Sequence, residues 1–210
     1  MSFDGVTGDL ALALGNTACR EASCCASPPD YAALIDLVAA SGALDPEGKQ
    51  RLLAAPPDPQ REAVRAILAF RDVIRASVDA LALGRPLSDA LLGSIDDALR
   101  ACGCARSIVR DAGTYRSIIR FAIAEPRDLL MPIAHSLADL ITASDPTRLK
   151  QCREPRCSCY FIDTSKNRTR TWCSMQRCGN RQKVANYYRR SRKNETAEAR
   201  VPRPPSTSSG

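Results

Sequence analysis

The chain has 210 residues, of which 44% are apolar, 25% charged and only 5% aromatic. That leaves room for one large domain or two small ones with a packed core, and it excludes a wholly disordered, collagen-like or coiled-coil chain. The formal charge of +7 is uneven: residues 1–149 hold 15 Lys and Arg against 19 Asp and Glu, whereas residues 150–210 hold 15 against 4. A basic excess confined to the carboxyl end marks a second unit suited to a polyanion, with a merely solubilising tail as the plainer alternative.

No uncharged stretch exceeds ten residues, about half of what a membrane-spanning helix needs. Asp4 and Asp9 stand where a signal peptide would be apolar, and no Lys or Arg precedes Arg20. A cytosolic protein is expected.

Residues 1–149 are expected to be mostly helical. Leu10-Ala-Leu-Ala-Leu14 reads as a strand or as the start of a helix, stopping at Gly15-Asn16-Thr17. Asp30 is placed to cap a helix whose apolar face is Tyr31, Leu34, Ile35 and Val38, ending near Ser41-Gly42. After the break at Ala55–Pro59, a long helix is expected from Gln60 to Leu83, with Val64, Ile67, Leu68, Ile74, Val78 and Leu81 inward. Another should run from Ser88 to Arg100. Ser107–Arg110 and Tyr115–Phe121, joined by Asp111-Ala-Gly-Thr114, suggest a hairpin. A final helix starts between Asp128 and Pro132 and buries Ile133, Leu137, Leu140 and Ile141. His135, opposite Ile133 and Leu137, is expected at the surface or between domains.

Five of the ten cysteines are scattered: Cys19, Cys24, Cys25, Cys102 and Cys104. Without a local activating feature they are expected to be inert thiols. The others crowd between Cys152 and Cys178. Cys152-x4-Cys157 and Cys173-x4-Cys178 offer two short pairs, which is what a tetrahedral zinc ion takes from soft ligands. The sole His lies outside this cluster, and Cys159 alternates onto the side of Cys157, where it would be a rival ligand. Tyr160-Phe161-Ile162 and Thr171-Trp172 are expected to pair as a hairpin, with Phe161 and Trp172 as a small core over the metal. So small a unit needs its metal in order to fold.

Cys152–Arg192 resembles the CGNR zinc finger through Cys178-Gly179-Asn180-Arg181, Phe161–Arg168 and Arg170–Met175. The preceding residues resemble the helical ABATE domain through Asn16-Thr17 behind the Leu-rich run and through Asp128–Leu140. The family's acidic-aromatic pair before Asn-Thr is replaced here by Ala13-Leu14-Gly15. The resemblance implies a bacterial, stress-linked transcription regulator.

On a helical wheel from Gly179 to Lys193, the residues Gln182, Lys183, Asn186, Arg189, Arg190 and Lys193 fall within one arc of about 120° at 3.6 residues per turn. Cations there suit phosphates or guanine, and amides suit adenine. Val184, Ala185, Tyr187 and Tyr188 lie opposite and are expected to pack on the finger. Arg181 falls on that packing side, to pair with Asp163 or Glu154.

The expected fold is mainly α: a helical domain over residues 1–149, a treble-clef-type four-cysteine finger over 150–193 and a disordered tail over 194–210. The first functional reading is a cytoplasmic, nucleoid-associated regulator that binds double-stranded DNA, with Zn2+ on Cys152, Cys157, Cys173 and Cys178. Its helical domain would sense a small molecule or self-associate. The alternatives are a zinc-stabilised protein adaptor and a thiol sensor that expels zinc on oxidation. With no phosphate loop, nucleophile elbow or paired-His motif, an enzyme is not expected.

Overall fold

A computed structural model describes residues 10–18, 29–101, 103–142 and 145–198. Helices α1 (Leu10–Asn16), α2 (Tyr31–Ala40), α3 (Pro46–Leu53), α4 (Pro57–Ala82) and α5 (Asp89–Arg100) precede a hairpin of β1 (Cys104–Asp111) and β2 (Thr114–Phe121). Helix α6 (Leu130–Ile141), strands β3 (Leu149–Gln151) and β4 (Tyr160–Ile162) and helix α7 (Asn180–Glu198) follow. No described helix is long and apolar enough to cross a membrane.

The ambiguous leucine run is helical and central. Leu10, Ala11, Leu12 and Leu14 are all buried, because α1 is enclosed by α4 and α6 rather than lying on a surface. Ala11 N–H donates to Ser136 Oγ at 3.0 Å. A Cβ on Gly15 would stand 3.0 Å from Ile74 Cγ2, so glycine sets how closely α1 approaches α4.

The remaining helices follow their local signals. Asp30 caps α2, accepting from Ala33 N–H at 2.8 Å, and Ser88 caps α5. Helix α4 begins at Pro57, ahead of the expected Gln60, since proline's fixed φ suits the first helical position. Helix α3 lies in a stretch with no periodic apolar signal of its own. Asp45 caps it and Pro46 starts it, but it buries only Gly48 and Leu52, too few to set up a periodic face.

Strands β3 and β4 divide the interior in two. Leu149, Tyr160 and Ile162 face the helical core, while Phe161, by strand alternation, joins the cysteines on the other side. The strand pairing corrects the sequence expectation: Tyr160–Ile162 pairs with Leu149–Gln151 and not with Thr171-Trp172. The cause is Asp163, whose buried carboxylate accepts from Ser165 N–H at 2.9 Å, Arg170 N–H at 3.1 Å and Lys150 Nζ at 2.6 Å. The chain from 163 to 170 wraps that carboxylate instead of turning tightly. Thr171 O accepts from Arg153 N–H just beyond β3.

Candidate metal centre and basic helix

Cys152 and Cys157 flank the turn after β3, while Cys173 precedes and Cys178 lies within a wide turn, Met175–Gly179, that leads into α7. Ser174 shapes that turn: its carbonyl accepts from both Cys178 N–H (2.9 Å) and Gly179 N–H (3.1 Å). The four thiols are at most 6% exposed, and their Sγ atoms all lie within 4.8 Å of one another. Cys157–Cys173 and Cys173–Cys178 are separated by 3.7 and 3.6 Å. A tetrahedral ion 2.3 Å from each sulfur requires separations of about 3.8 Å. The donor set and its size therefore fit a thiolate-bound metal such as zinc.

Hydrogen bonds from Cys157 and Cys173 pull the Cys152 thiol below its ordinary value. The Cys157 and Cys173 thiols are pushed up, chiefly by their bonds to Cys152, and Cys178 is pushed up by burial. Without a cation only part of the cluster can ionise. Cys159 is not a fifth ligand: it is buried and disulfide-bonded, outside the cluster of four, which corrects the rival-ligand expectation.

Phe161 is fully buried beside the cysteines, with Trp172 packed against them, as the sequence suggests. The Arg170 guanidinium sits 4.6 Å over the Phe161 ring and donates to Cys173 O at 2.6 Å, tying the aromatic core to a cysteine backbone. Lys150, followed by Ser165, holds the Asp163 carboxyl well below the usual carboxylate range.

The helix after the cluster departs from expectation. Val184, Tyr187 and Tyr188 are 55%, 68% and 64% exposed, and Ala185 is exposed too, so none of them packs on the finger. Among the described residues, the sustained contact of α7 is with the wide turn. Lys183 and Arg189 are exposed. Gln182 and Asn186 are half-buried and linked: Asn186 Oδ1 accepts from Gln182 Nε2 at 3.3 Å and from Arg189 Nη1 at 3.2 Å. The side chains of Arg190 and Lys193 lie outside the described residues. The helical backbone continues to Glu198, past the expected boundary at Lys193, and the first strong breaker, Pro202, comes later. Arg181, half-buried, reaches Glu154 at 4.0 Å, one of the two partners that the sequence proposes for it.

The structure adds contacts that the sequence does not reveal. Asn16, on α1, is bonded on both sides of its amide to the Tyr160 backbone of β4. Arg75 donates to Ser158 O at 2.8 Å and lies 5.0 Å over the Tyr160 ring. Burial, and then a bond to Asp79, push the Tyr160 phenol up. The finger is thus docked on the helical domain. Elsewhere His135 has a neighbour after all: Cys104 Sγ is 3.5 Å from its Nε2, and Phe121 meets its ring edge-on.

Sequence comparison agrees with this division of labour. Residues 148–191 match the CGNR zinc finger, and residues 8–144, more than half of the chain, match ABATE, described as "Putative stress-induced transcription regulator". The chain belongs to the ABATE family. No curated protein matches it. In this ABATE protein the tetrapeptide that names the finger has four separate tasks. Cys178 belongs to the thiol cluster, and Asn180 begins α7. Gly179 lies under Met175 and Trp172, where a Cβ would collide with Met175 Sδ and stand 3.2 Å from Trp172 Cδ1. Arg181 pairs with the buried Glu154.

Proposed function

We propose that this ABATE protein is a zinc-dependent transcription regulator that binds double-stranded DNA through its finger, acting in the bacterial cytoplasm on the nucleoid. Cys152, Cys157, Cys173 and Cys178 hold Zn2+, and the cations of α7, with Lys183 and Arg189 foremost, neutralise phosphates. The helical domain receives the signal, as a small-molecule sensor or a self-association module. No catalytic role is part of this reading.

One observation carries it: a buried four-thiol cage stands at the root of a 19-residue helix whose Lys183 and Arg189 are exposed. Metal binding fixes the root, and the cationic residues are left for a partner. The test is a salt titration of the zinc-loaded full chain on duplex DNA. Log affinity should fall with log salt by about 0.9 per phosphate contact, and Arg189→Ala should flatten that slope. A flat titration, or zinc-stripped protein binding equally well, would overturn the reading.

The exposed Val184, Tyr187 and Tyr188 favour a second reading, in which α7 is a docking helix for another protein. Absence of duplex binding, together with a protein partner lost on Tyr187→Ala, would establish it instead.

A further inference from the structure

The hairpin β1–β2 touches the core at its base, where Cys104 and Phe121 meet His135, and extends from there. Each strand has eight residues, paired from Cys104↔Phe121 to Asp111↔Thr114, and its sustained contacts are internal. The turn, Ala112-Gly113, has φ of 47° and 85°, the left-handed pair that matches the twist of a tight hairpin. A two-stranded hairpin with little support is marginal in water, so this one is built for something besides the core.

Alternation gives it two faces. Ser107, Val109 and Ile118 are half-buried on one. The other presents Arg106, Ile108, Arg110, Tyr115, Ser117 and Ile119, all exposed, with Ile108 at 67% and Tyr115 at 70%. Arg110 lies 5.6 Å over the Tyr115 ring and bonds its hydroxyl at 3.2 Å, while Arg106 bonds Ser117 Oγ at 3.3 Å. Among the described residues neither guanidinium is paired with a carboxylate. Arg106 and Arg110 are about 14 Å apart along the strand at 3.4 Å per residue.

The charge is local. The hairpin sequence carries Arg106, Arg110, Arg116 and Arg120 against Asp111 alone, while the rest of residues 1–149 holds 11 Lys and Arg against 18 Asp and Glu. It is a cationic island on an acidic domain, so a polyanion is drawn to the ribbon and repelled from its surroundings. Strands of eight residues reach about 27 Å, and a two-stranded ribbon fits the roughly 12 Å major groove of duplex DNA.

We infer that the β1–β2 hairpin is a second DNA-binding element, a ribbon whose arginine face contacts the phosphates of duplex DNA while α7 contacts them elsewhere. The inference rests on the DNA reading of the finger and extends it to the helical domain. Both units then hold the same duplex, which gives the acidic domain a direct part in binding.

The test uses the zinc-loaded full chain on a long duplex, with Arg106→Ala/Arg110→Ala, the corresponding double Lys variant, and Lys183→Ala/Arg189→Ala in α7. The expected result is a salt slope shallower by up to about 1.8 in the hairpin Ala variant, at about 0.9 per contact, and restored in the double Lys variant. If the α7 variant loses slope but the hairpin Ala variant does not, the hairpin inference is overturned while the finger reading stands. If the unmodified chain shows no salt-dependent binding at all, the finger reading itself fails. A loss that Lys does not restore counts against the ribbon, because phosphate neutralisation requires only the charge. A dimer in sedimentation that the hairpin Ala variant dissolves would also overturn the inference, making the ribbon a self-association surface.

Discussion

The amide of Asn16 completes a strand edge that belongs to another part of the chain: its Nδ2 donates to Tyr160 O at 2.9 Å, and its Oδ1 accepts from Tyr160 N–H at 2.8 Å. One side chain thereby satisfies both backbone groups of a residue 144 positions away, in the wall between the two cores. Asn16→Ala leaves both groups buried and unbonded, at about 2–4 kcal/mol in total. The expected outcome is a melting temperature lower by roughly 5–15 °C for a chain of this size, read by circular dichroism. Asn16→Asp keeps the acceptor but turns a carboxylate toward the Tyr160 carbonyl, and should fall at least as far. An unchanged melting temperature in both variants would show that the docking is held elsewhere.

The metal centre makes a selective prediction. Purified protein should hold one zinc per chain by elemental analysis, and Ser in place of Cys152, Cys157, Cys173 or Cys178 should remove it. Cys159→Ser should cost stability by breaking its disulfide and still retain the metal. Chelation should loosen residues 148–191, visible as faster amide exchange there, while α1, α4 and α6 keep their protection. Zinc lost from Cys159→Ser and kept in Cys157→Ser would show the ligand set to be misassigned.

Gly179 is held by contact rather than by backbone angle. Gly179→Ala pushes a methyl against Met175 Sδ, the end of a flexible side chain, and against Trp172 Cδ1. Overpacking of this kind costs about 1–3 kcal/mol. Trp172 is the only tryptophan, so its fluorescence reports on the finger alone. Combining Gly179→Ala with Met175→Ala should recover part of the loss, a non-additivity that marks direct contact. Strict additivity would disprove the contact.

Asp163 sets a pH dependence of definite sign. Its carboxyl is depressed in the folded state, first by Lys150 and then by Ser165. A depressed carboxyl stabilises the fold above its unfolded value near pH 3.9, and that contribution is lost as pH falls toward the folded value. Asp163→Asn removes it at every pH. The stability gap between wild type and Asp163→Asn should therefore be constant above about pH 5 and shrink below about pH 4, measured by denaturant titration followed at Trp172. A gap that widens on acidification would reverse the assignment.

What the sequence makes legible is local chemistry. Asp30 and Ser88 cap helices because their side chains reach amides three residues on, and the Cys pairs meet because short spacings constrain them. Contacts between distant segments leave no such pattern. The bonding of Asn16 to Tyr160, the choice of Leu149–Gln151 as the partner of β4 and the approach of Cys104 to His135 all depend on where α4 and α6 place separate segments. The helical wheel of α7 separates its faces well, but it assumes a surface for the apolar side to rest on. Tyr187 and Tyr188 instead meet each other edge-on, 5.7 Å apart, and are exposed.

Helix α7 is consequently a cantilever. Its 19 residues span about 28 Å, clamped at one end by Gly179 and Arg181. Beyond the clamp its helicity rests largely on its own propensity, whereas most helical stability in proteins comes from packing. Association with a partner must then include a winding-up step, so the heat capacity of binding should be more negative than rigid docking of the same surface would give. Alanines at Val184 and Tyr188 would prepay that ordering and tighten binding without adding a single contact.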